Sequence, residues 1–408
     1  MTNLPQGWEW KSLGEICFIT DGTHKTPNYI ETGIPFLSVK NISKGFFDLS
    51  DVKYISLEEH NKLIKRVKPE FEDILICRIG TLGKAIKISL EFEFSIFVSL
   101  GLLKPKVKII SDYLVYFLNS YFIEGWINDN KVGGGTHTAK LNLNILEKCP
   151  IALPPLKEQE RIVGILDESF AKIDENIKIL EQDLLNLDEL MQSTLQKAFN
   201  PLKDNAKENY KLPQGWEWKS LGEIGEIITG TTPSKNNPNF YGNEYPLFKP
   251  SDLNGDMIIK YASDNLSKLG FDNARNLPKD TILVVCIGAS IGKVGLSGVN
   301  GSCNQQINAI IPNSAFTSKY LFFVCLSNYF QTILKKNASQ TTLPIINKTE
   351  FSKLQIPLPP IKEQEQITSH LDELSSHVKN LKQNYQAQIK DLQELKNSLL
   401  DKAFKGNL

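Results

Sequence analysis

The sequence predicts an α+β fold arranged as a pseudo-two-fold tandem repeat, in which two globular domains are joined by two long helices forming an antiparallel coiled coil. Two observations carry this expectation. Residues 4 to 16 read LPQGWEWKSLGEI, and residues 212 to 224 repeat them letter for letter. A second block, IALPPLKEQERIVGILDE at 151 to 168, returns as IPLPPIKEQEQITSHLDE at 356 to 373. The first block recurs at an offset of 208 and the second at 205, so the stretch between them differs in sequence but barely in length. One scaffold used twice with two different fillings suits recognition of something bipartite.

A chain of 408 residues is too long for a single core. Its 41% hydrophobic and 23% charged residues are those of an ordinary soluble globular protein. The six cysteines form no C-x-x-C pair and no Cys/His ligand spacing, which argues against structural zinc and a disulfide framework. The first residues, MTNLPQGWEW, lack a basic segment followed by an apolar run, and the longest apolar stretches, near 282–287 and 320–326, are too short to span a bilayer. A cytoplasmic location without membrane attachment is expected. Formal net charge is zero, but it is unevenly spread: +1 for residues 1–150, −5 for 151–208, +4 for 209–355 and 0 for 356–408. Nucleic-acid binding would therefore rest on local basic faces of the two variable regions.

Taken in order, residues 16–20 read as a short strand ending in the polar loop DGTHKTP, and 224–229 as its counterpart ending in GTTPSKNNP. PFLSVKNI at 35–42 and YPLFKPSDL at 245–253 fit strands with a Lys near the end. ILICRIGTLGKAIKI at 74–88 matches ILVVCIGASIGKVGL at 282–296; both are apolar strands broken by paired glycines, as in a hairpin or bulge. Helical patterns follow at 112–126 and 318–336, and the loops GGGTHTAKLN and ASQTTLPIIN close the units.

After each Pro-Pro pair the pattern changes. Phe170, Ile173, Ile177, Leu180, Leu184, Leu187 and Met191 alternate intervals of three and four, the seam of a coiled coil. The second copy runs Leu371, Leu374, Val378, Leu381, Tyr385, then Leu392, Leu395 and Leu399, with Gln388 breaking the apolar series. The prolines suit helix starts, and Asn200-Pro201 and Gly406 suit stops. The expected division is a first domain at 1–152, a central helix and linker at 153–208, a second domain at 209–357 and a C-terminal helix at 358–408.

Candidates for catalysis are weak. Gly80-Thr81-Leu82-Gly83-Lys84 and Gly288-Ala289-Ser290-Ile291-Gly292-Lys293 miss the spacing of a phosphate-binding P-loop, and Ala85 or Val294 replaces the hydroxyl residue that would meet Mg²⁺. These segments read as glycine-bent strands, or as loops whose amides and lysines, Lys84 and Lys293, touch a DNA phosphate. Asn237-Pro238-Asn239-Phe240 lacks the second proline of the adenine-methyltransferase motif, and no S-adenosylmethionine fingerprint accompanies it. His370 and His377, seven residues apart on the second long helix, read as solvated or seam-flanking positions rather than metal ligands.

The polar loops are better binding candidates, because short hydroxyls, amides and cations reach phosphates and base edges. In the first unit they are Thr23, His24, Lys25, Thr26, Lys40, Asn41, Arg78, Lys84, Thr136, His137 and Lys140; Arg78 is the expected guanine reader. In the second they are Thr231, Thr232, Ser234, Lys235, Lys249, Ser251, Asp252, Lys293, Asn304, Gln305, Gln306, Gln340, Thr341 and Thr342. Glu158-Gln159-Glu160 and Glu363-Gln364-Glu365 fit a first helical turn, where acid suits the helix dipole, the alternative being a contact with a partner subunit.

Two variable domains, each introduced by LP-x-GWEW-x-x-LGEI and closed by PLPP-x-x-EQ before a long helix, resemble the specificity subunit of type I restriction-modification systems. The resemblance spans the whole chain. It implies two target-recognition domains, each reading one half of a bipartite site in double-stranded DNA, with the helices as spacer. It implies no cofactor and no catalysis in this chain. Its partners would be two methyltransferase subunits carrying S-adenosylmethionine and restriction subunits using ATP and Mg²⁺ to translocate and cleave DNA. Cys303-Asn304-Gln305-Gln306-Ile307 has a form familiar in such domains, whereas Glu93-Phe94-Ser95-Ile96-Phe97 in the first unit departs from it. Two competing expectations are a coiled-coil scaffold or adhesin that binds protein, distinguished by the absence of competitor-resistant duplex binding, and a self-contained methyltransferase, which would bind S-adenosylmethionine alone.

Overall fold

The computed structural model describes residues 4–134, 139–199, 212–339 and 343–408. The chain forms two compact units, one comprising Met1–Leu180 with Gln386–Leu408 and the other Glu181–Tyr385.

In each unit the two repeated motifs pair with each other. Glu9–Ser12 runs antiparallel to Pro150–Leu153 with Trp10 opposite Ala152, and Glu217–Ser220 runs antiparallel to Gln355–Leu358 with Trp218 opposite Pro357. A one-turn helix follows each ribbon, Leu13–Ile16 and Leu221–Ile224. Ser12 with Glu15, and Ser220 with Glu223, close capping boxes that satisfy the free amides of these short turns. The turn takes up the Leu-Gly-Glu-Ile segment, so the following strands start later than the hydrophobic pattern suggests, at Cys17–Asp21 and Ile227–Thr229.

The first unit holds a four-stranded antiparallel sheet in the spatial order Cys17–Asp21, Leu100–Pro105, Ile74–Cys77, Ala85–Lys87. Beside it lies a three-stranded sheet of Lys53–Ile55, Ile34–Leu37 and Ser95–Ile96, the last pair parallel. The second unit repeats the plan. Ile227–Thr229, Ile307–Ile310, Ile282–Val285 and Val294–Ser297 gain Ile258–Ile259 at the edge, and Asp264–Leu266, Tyr241–Phe248 and Ser302–Cys303 form the smaller sheet. The paired-glycine segments are the hairpins expected. Each central strand, Ile74–Cys77 or Ile282–Val285, is buried at every position, because one face meets the helices and the other the smaller sheet.

Each helical stretch of the variable regions is two helices rather than one: Ser111–Leu118 and Tyr121–Asn130, then Ser318–Leu326 and Asn328–Lys336. Ser120 and Ser327 restart the chain, their hydroxyls accepting from the amides of Ile123 and Phe330.

The long helices are Leu156–Phe199 and Ile361–Phe404, each of 44 residues. The glutamine of each PP-x-x-EQ motif fixes the helix start. Gln159 is buried; it accepts from the Ile110 amide and donates to the Pro154 carbonyl, both at 2.9 Å. Gln364 does the same with Thr317 and Pro359 at 2.9 Å. Phe404 packs 4.8 Å from Phe117 in the first unit, and Phe199 lies 5.4 Å from Tyr320 in the second. Among the seam residues Ile173, Leu371 and Val378 are buried, whereas Leu381 and Leu395 are exposed. Ion pairs join the helices within each unit, Asp174 with Lys396 in the first and Asp188 with Lys382 in the second. The stop expected at Asn200-Pro201 lies outside the described residues; Gly406, at φ +71°, follows the second helix.

Candidate nucleic-acid interface

At the strand ends of each unit, one set of backbone contacts gathers the polar loops. The Phe97 amide donates to Leu37 O at 2.9 Å, as Asn304 does to Phe248 O at 3.0 Å. Gly80 donates to Ala139 O at 3.1 Å, as Gly288 does to Pro344 O at 2.9 Å, and Cys77 and Val285 donate to the carbonyls of Lys84 and Lys293. Gly22 and Gly230 make the frame possible. A Cβ there would stand 2.1 Å from Ile96 O and 2.2 Å from Cys303 O, so a side chain would push the first loop off the turn beside it.

This frame corrects the alignment of the two units. Ser95–Ile96 and Ser302–Cys303 pair in parallel with equivalent strands, which sets Ile96-Phe97-Val98-Ser99 opposite Cys303-Asn304-Gln305-Gln306. The segment expected there, from Glu93, lies three residues too early. The turn is polar in the second unit and largely apolar in the first.

In the first unit the loop is organised by Asp21, a residue the sequence did not single out. Its carboxylate is 1% exposed and accepts from His24 Nε2 at 2.9 Å, from Arg66 at 2.9 Å and from Arg78. Arg78 is not placed to read guanine. It is buried, and it also donates from Nε to Leu141 O at 3.2 Å and from Nη1 to Val98 O at 3.1 Å. Burial draws its guanidinium below the usual value while Asp21 opposes the shift. Asn41 is a strut of the same kind: it is buried, accepts from the Ser38 amide at 2.9 Å and donates to Asp48 O at 3.1 Å. Thr23 shares its hydroxyl with the Lys25 backbone at 3.2 Å. Lys25, Thr26, Lys40 and Lys140 are exposed, and Lys84 is half-buried. Thr136 and His137 lie outside the described residues.

In the second unit Asp21 and its strand partner Gly101 are replaced by Thr229 and Asn308, whose side chains share a 2.7 Å hydrogen bond. Cys286 occupies the place of Arg78, and burial pushes its thiol up to about 12. A charged cluster in one unit is thus a neutral one in the other. Thr231 accepts from the Arg275 amide at 3.2 Å, Thr232 donates to Gln305 at 2.8 Å, and Ser234 accepts from the Asn236 amide at 3.3 Å. Lys249 pairs with Asp264, holding that carboxyl below its ordinary value, and Lys235 lies 4.0 Å from the same group. Asp252 accepts from the amides of Lys249 at 2.8 Å and Ser263 at 3.0 Å, which makes it a loop clasp. Asn304 is buried and bonded to Gln306 at 2.9 Å. Ser251, Lys293 and Gln305 are exposed, with the Lys293 ammonium 3.4 Å from Pro250 O. Gln340, Thr341 and Thr342 lie outside the described residues.

The hairpin loops also differ in what supports them. In the first unit a cleft of about 500 Å³ opens between Gly80, Thr81, Lys84, Glu124, Asn128 and Lys131. In the second, Gln331 reaches the hairpin and donates to Gly292 O at 2.8 Å.

Among the described residues no group of three or more His, Cys, Asp or Glu is placed to hold a metal ion, and no helix is long and apolar enough to cross a membrane. The six cysteines are buried and free.

Comparison with known proteins matches residues 5–182 and 213–391 to the type I restriction modification DNA specificity domain. The StySPI specificity subunit of Salmonella potsdam is 26% identical, over 99% of this chain and 90% of its own length. The EcoKI specificity subunit of Escherichia coli K12 is 24% identical with the same coverage. Among solved structures, a chain from a study of complex assembly and conformational transition of the type I R-M system superposes with a TM-score of 0.79 at 22% identity, covering 100% of both chains. The HsdS subunit from Thermoanaerobacter tengcongensis gives 0.57 at 22% identity, over 100% of this chain and 99% of that one.

Proposed function

The chain belongs to the type I restriction-modification DNA specificity family, and from that membership we propose that it is the sequence-reading subunit of such a complex, each unit reading one half of a bipartite duplex site. One observation of this molecule supports the reading above others. Both units keep the same backbone frame at their strand ends, through Gly22 and Gly230 and matching hydrogen bonds, while side chains mounted on it differ, Asp21 against Thr229, His24 against Thr232, Lys40 against Ser251 and Arg78 against Cys286. A fixed mount with exchangeable contents is what two readers of different sequences require.

Within this proposal the reading groups are the exposed ones: His24, Lys25, Thr26, Lys40, Lys140, Thr232, Ser234, Lys235, Ser251, Lys293 and Gln305. Asn41, Arg78, Asp252 and Asn304 hold the loops. The functional division is 1–152 and 209–357 for recognition, with 153–208 and 358–408 as the helical spacer. The helices form an antiparallel coiled coil; in support, Asp174 with Lys396 and Asp188 with Lys382 stand two heptads apart in opposite chain directions. Methylation with S-adenosylmethionine is assigned to two methyltransferase partners, and ATP- and Mg²⁺-dependent restriction to further subunits.

Exchange of residues 17–150 for the corresponding region of another family member, followed by methylome sequencing of cells carrying the whole system, tests the assignment. One half-site is expected to change and the other to persist. Alteration of both halves, or of neither, would defeat it.

A further inference from the structure

Only four of the 46 basic residues are arginine: Arg66, Arg78, Arg161 and Arg275. Three of them lie at the strand ends described above, Arg66 and Arg78 in the first unit and Arg275 in the second, and Arg66 and Arg275 arrive there by the same route. Arg66 follows the short helix Leu57–Leu63, and Arg275 follows Lys268–Asp272, its counterpart after an N-capping serine. Each then reaches the final residue of the first strand of its main sheet. Arg66 donates to the Asp21 carboxylate at 2.9 Å, and Arg275 donates to Thr229 O at 2.5 Å. Arg275 is clasped further, its amide donating to Thr231 and its carbonyl accepting from Ser302 at 2.8 Å. The Arg66 side chain is nonetheless 59% exposed, and Arg275 is also exposed. Among the described residues no second partner engages either guanidinium. Beside Arg66 a cavity of about 140 Å³ opens, walled by Gly22, Thr23 and by Lys62, itself paired with Glu58.

An exposed arginine normally samples many rotamers. One tied at a single edge to a fixed acceptor presents its other N–H groups in a set direction, so less freedom is lost on binding. The two units otherwise differ: a buried acid holds one arginine and a main-chain carbonyl the other, beside loops of different composition. A group kept in both readers suits what both half-sites share, the phosphodiester backbone, rather than a base edge. We propose that Arg66 and Arg275 are anchored phosphate clamps, one in each unit, which set the position of the reading loops on the duplex without themselves selecting sequence. This rests on the DNA-reading role proposed above. Asp21 is then a positioning residue for Arg66.

The test uses the full chain assembled with its methyltransferase partners. Binding to a duplex carrying the methylated bipartite site, and to duplexes altered in either half-site, is measured across a salt series. Selective binding by the unaltered complex establishes the underlying role, so its absence would sink that role rather than the clamps. Arg66→Ala and Arg275→Ala are each expected to weaken binding to all duplexes by the same factor and to reduce the slope of log K against log salt by about 0.9. Arg66→Lys and Arg275→Lys should restore the slope, and the methylated sequence should not change. Loss of discrimination at particular base pairs with an unchanged slope would make them base readers. Unchanged affinity and slope would leave them without a DNA contact; either result overturns the proposal.

Discussion

The charged cluster of the first unit makes a sharp demand on stability. Arg78→Met removes donors to Asp21, Val98 O and Leu141 O, and leaves a carboxylate that is 1% exposed with only the solvent-facing partners Arg66 and His24. Removing one member of a buried ion pair costs roughly 3–5 kcal/mol. The two remaining partners, whose side chains are 59% and 64% exposed, return little of this, since an exposed pair is worth at most about 1 kcal/mol. A loss of about 3 kcal/mol is therefore expected, roughly a hundredfold in an opening equilibrium. Amide hydrogen exchange of the intact chain reads it in Cys17–Asp21 and Leu100–Pro105, with Ile227–Thr229 of the other unit as internal reference. Copying the neutral cluster wholesale, with Asp21→Thr, Arg78→Cys and Gly101→Asn, should recover more than half of the loss. If Arg78→Met leaves protection within about threefold of the parent, the pair does not hold the sheet end together and the reasoning is wrong.

Two further outcomes follow from particular contacts. Gln159→Leu and Gln364→Leu each strand a buried amide and a buried carbonyl at a helix start, and each is expected to cost about 3 kcal/mol in urea denaturation; a midpoint equal to the parent's would remove the glutamines from the account of why the motif repeats. Asp264 is held below its ordinary value of 3.8, chiefly by its hydrogen bond from Lys249. The stability from this pairing is thus fully present above about pH 3.8 and fades as pH falls through the lower, folded-state value. Carbon-detected titration should place the Asp264 midpoint below 3.8 in the parent and nearer 3.8 in Lys249→Met; equal midpoints would show that the pair does not form.

The doubling, the hairpins and both long helices were legible because each leaves a local mark: an identical block, paired glycines, or a three-four apolar spacing; the sheet order was not, since Leu100–Pro105 and Ile307–Ile310, which flank the central strands, carry no such mark. The splitting of each shorter helical stretch was not, because Ser120 and Ser327 act through a single N-capping hydrogen bond that leaves the apolar periodicity intact. The candidate site was legible as a set of loops and much less so as a set of roles. Arg78 and Asn41 look like readers in sequence, yet both point inward, since a polar side chain at a strand end serves the frame as readily as a ligand. Asp21 carries no mark of its role, because nothing near it in sequence reveals that residues 45 and 57 positions away converge on it. The rarity of arginine was the one available signal for Arg66 and Arg275. The motif glutamines, read beside a helix dipole, turn out to be fasteners buried beneath the helix start.

The division of the chain also bears on its biosynthesis. One unit is continuous, Glu181–Tyr385, while the other resumes at Gln386 after a long interruption. A ribosome working from the N-terminus synthesises all of the continuous unit before the last strip of its neighbour. Until then Tyr113 and Phe117 lack Leu400, Ala403 and Phe404, which complete their apolar cluster. The portion translated first therefore finishes last, its flank open until Gln386–Leu408 has left the ribosome.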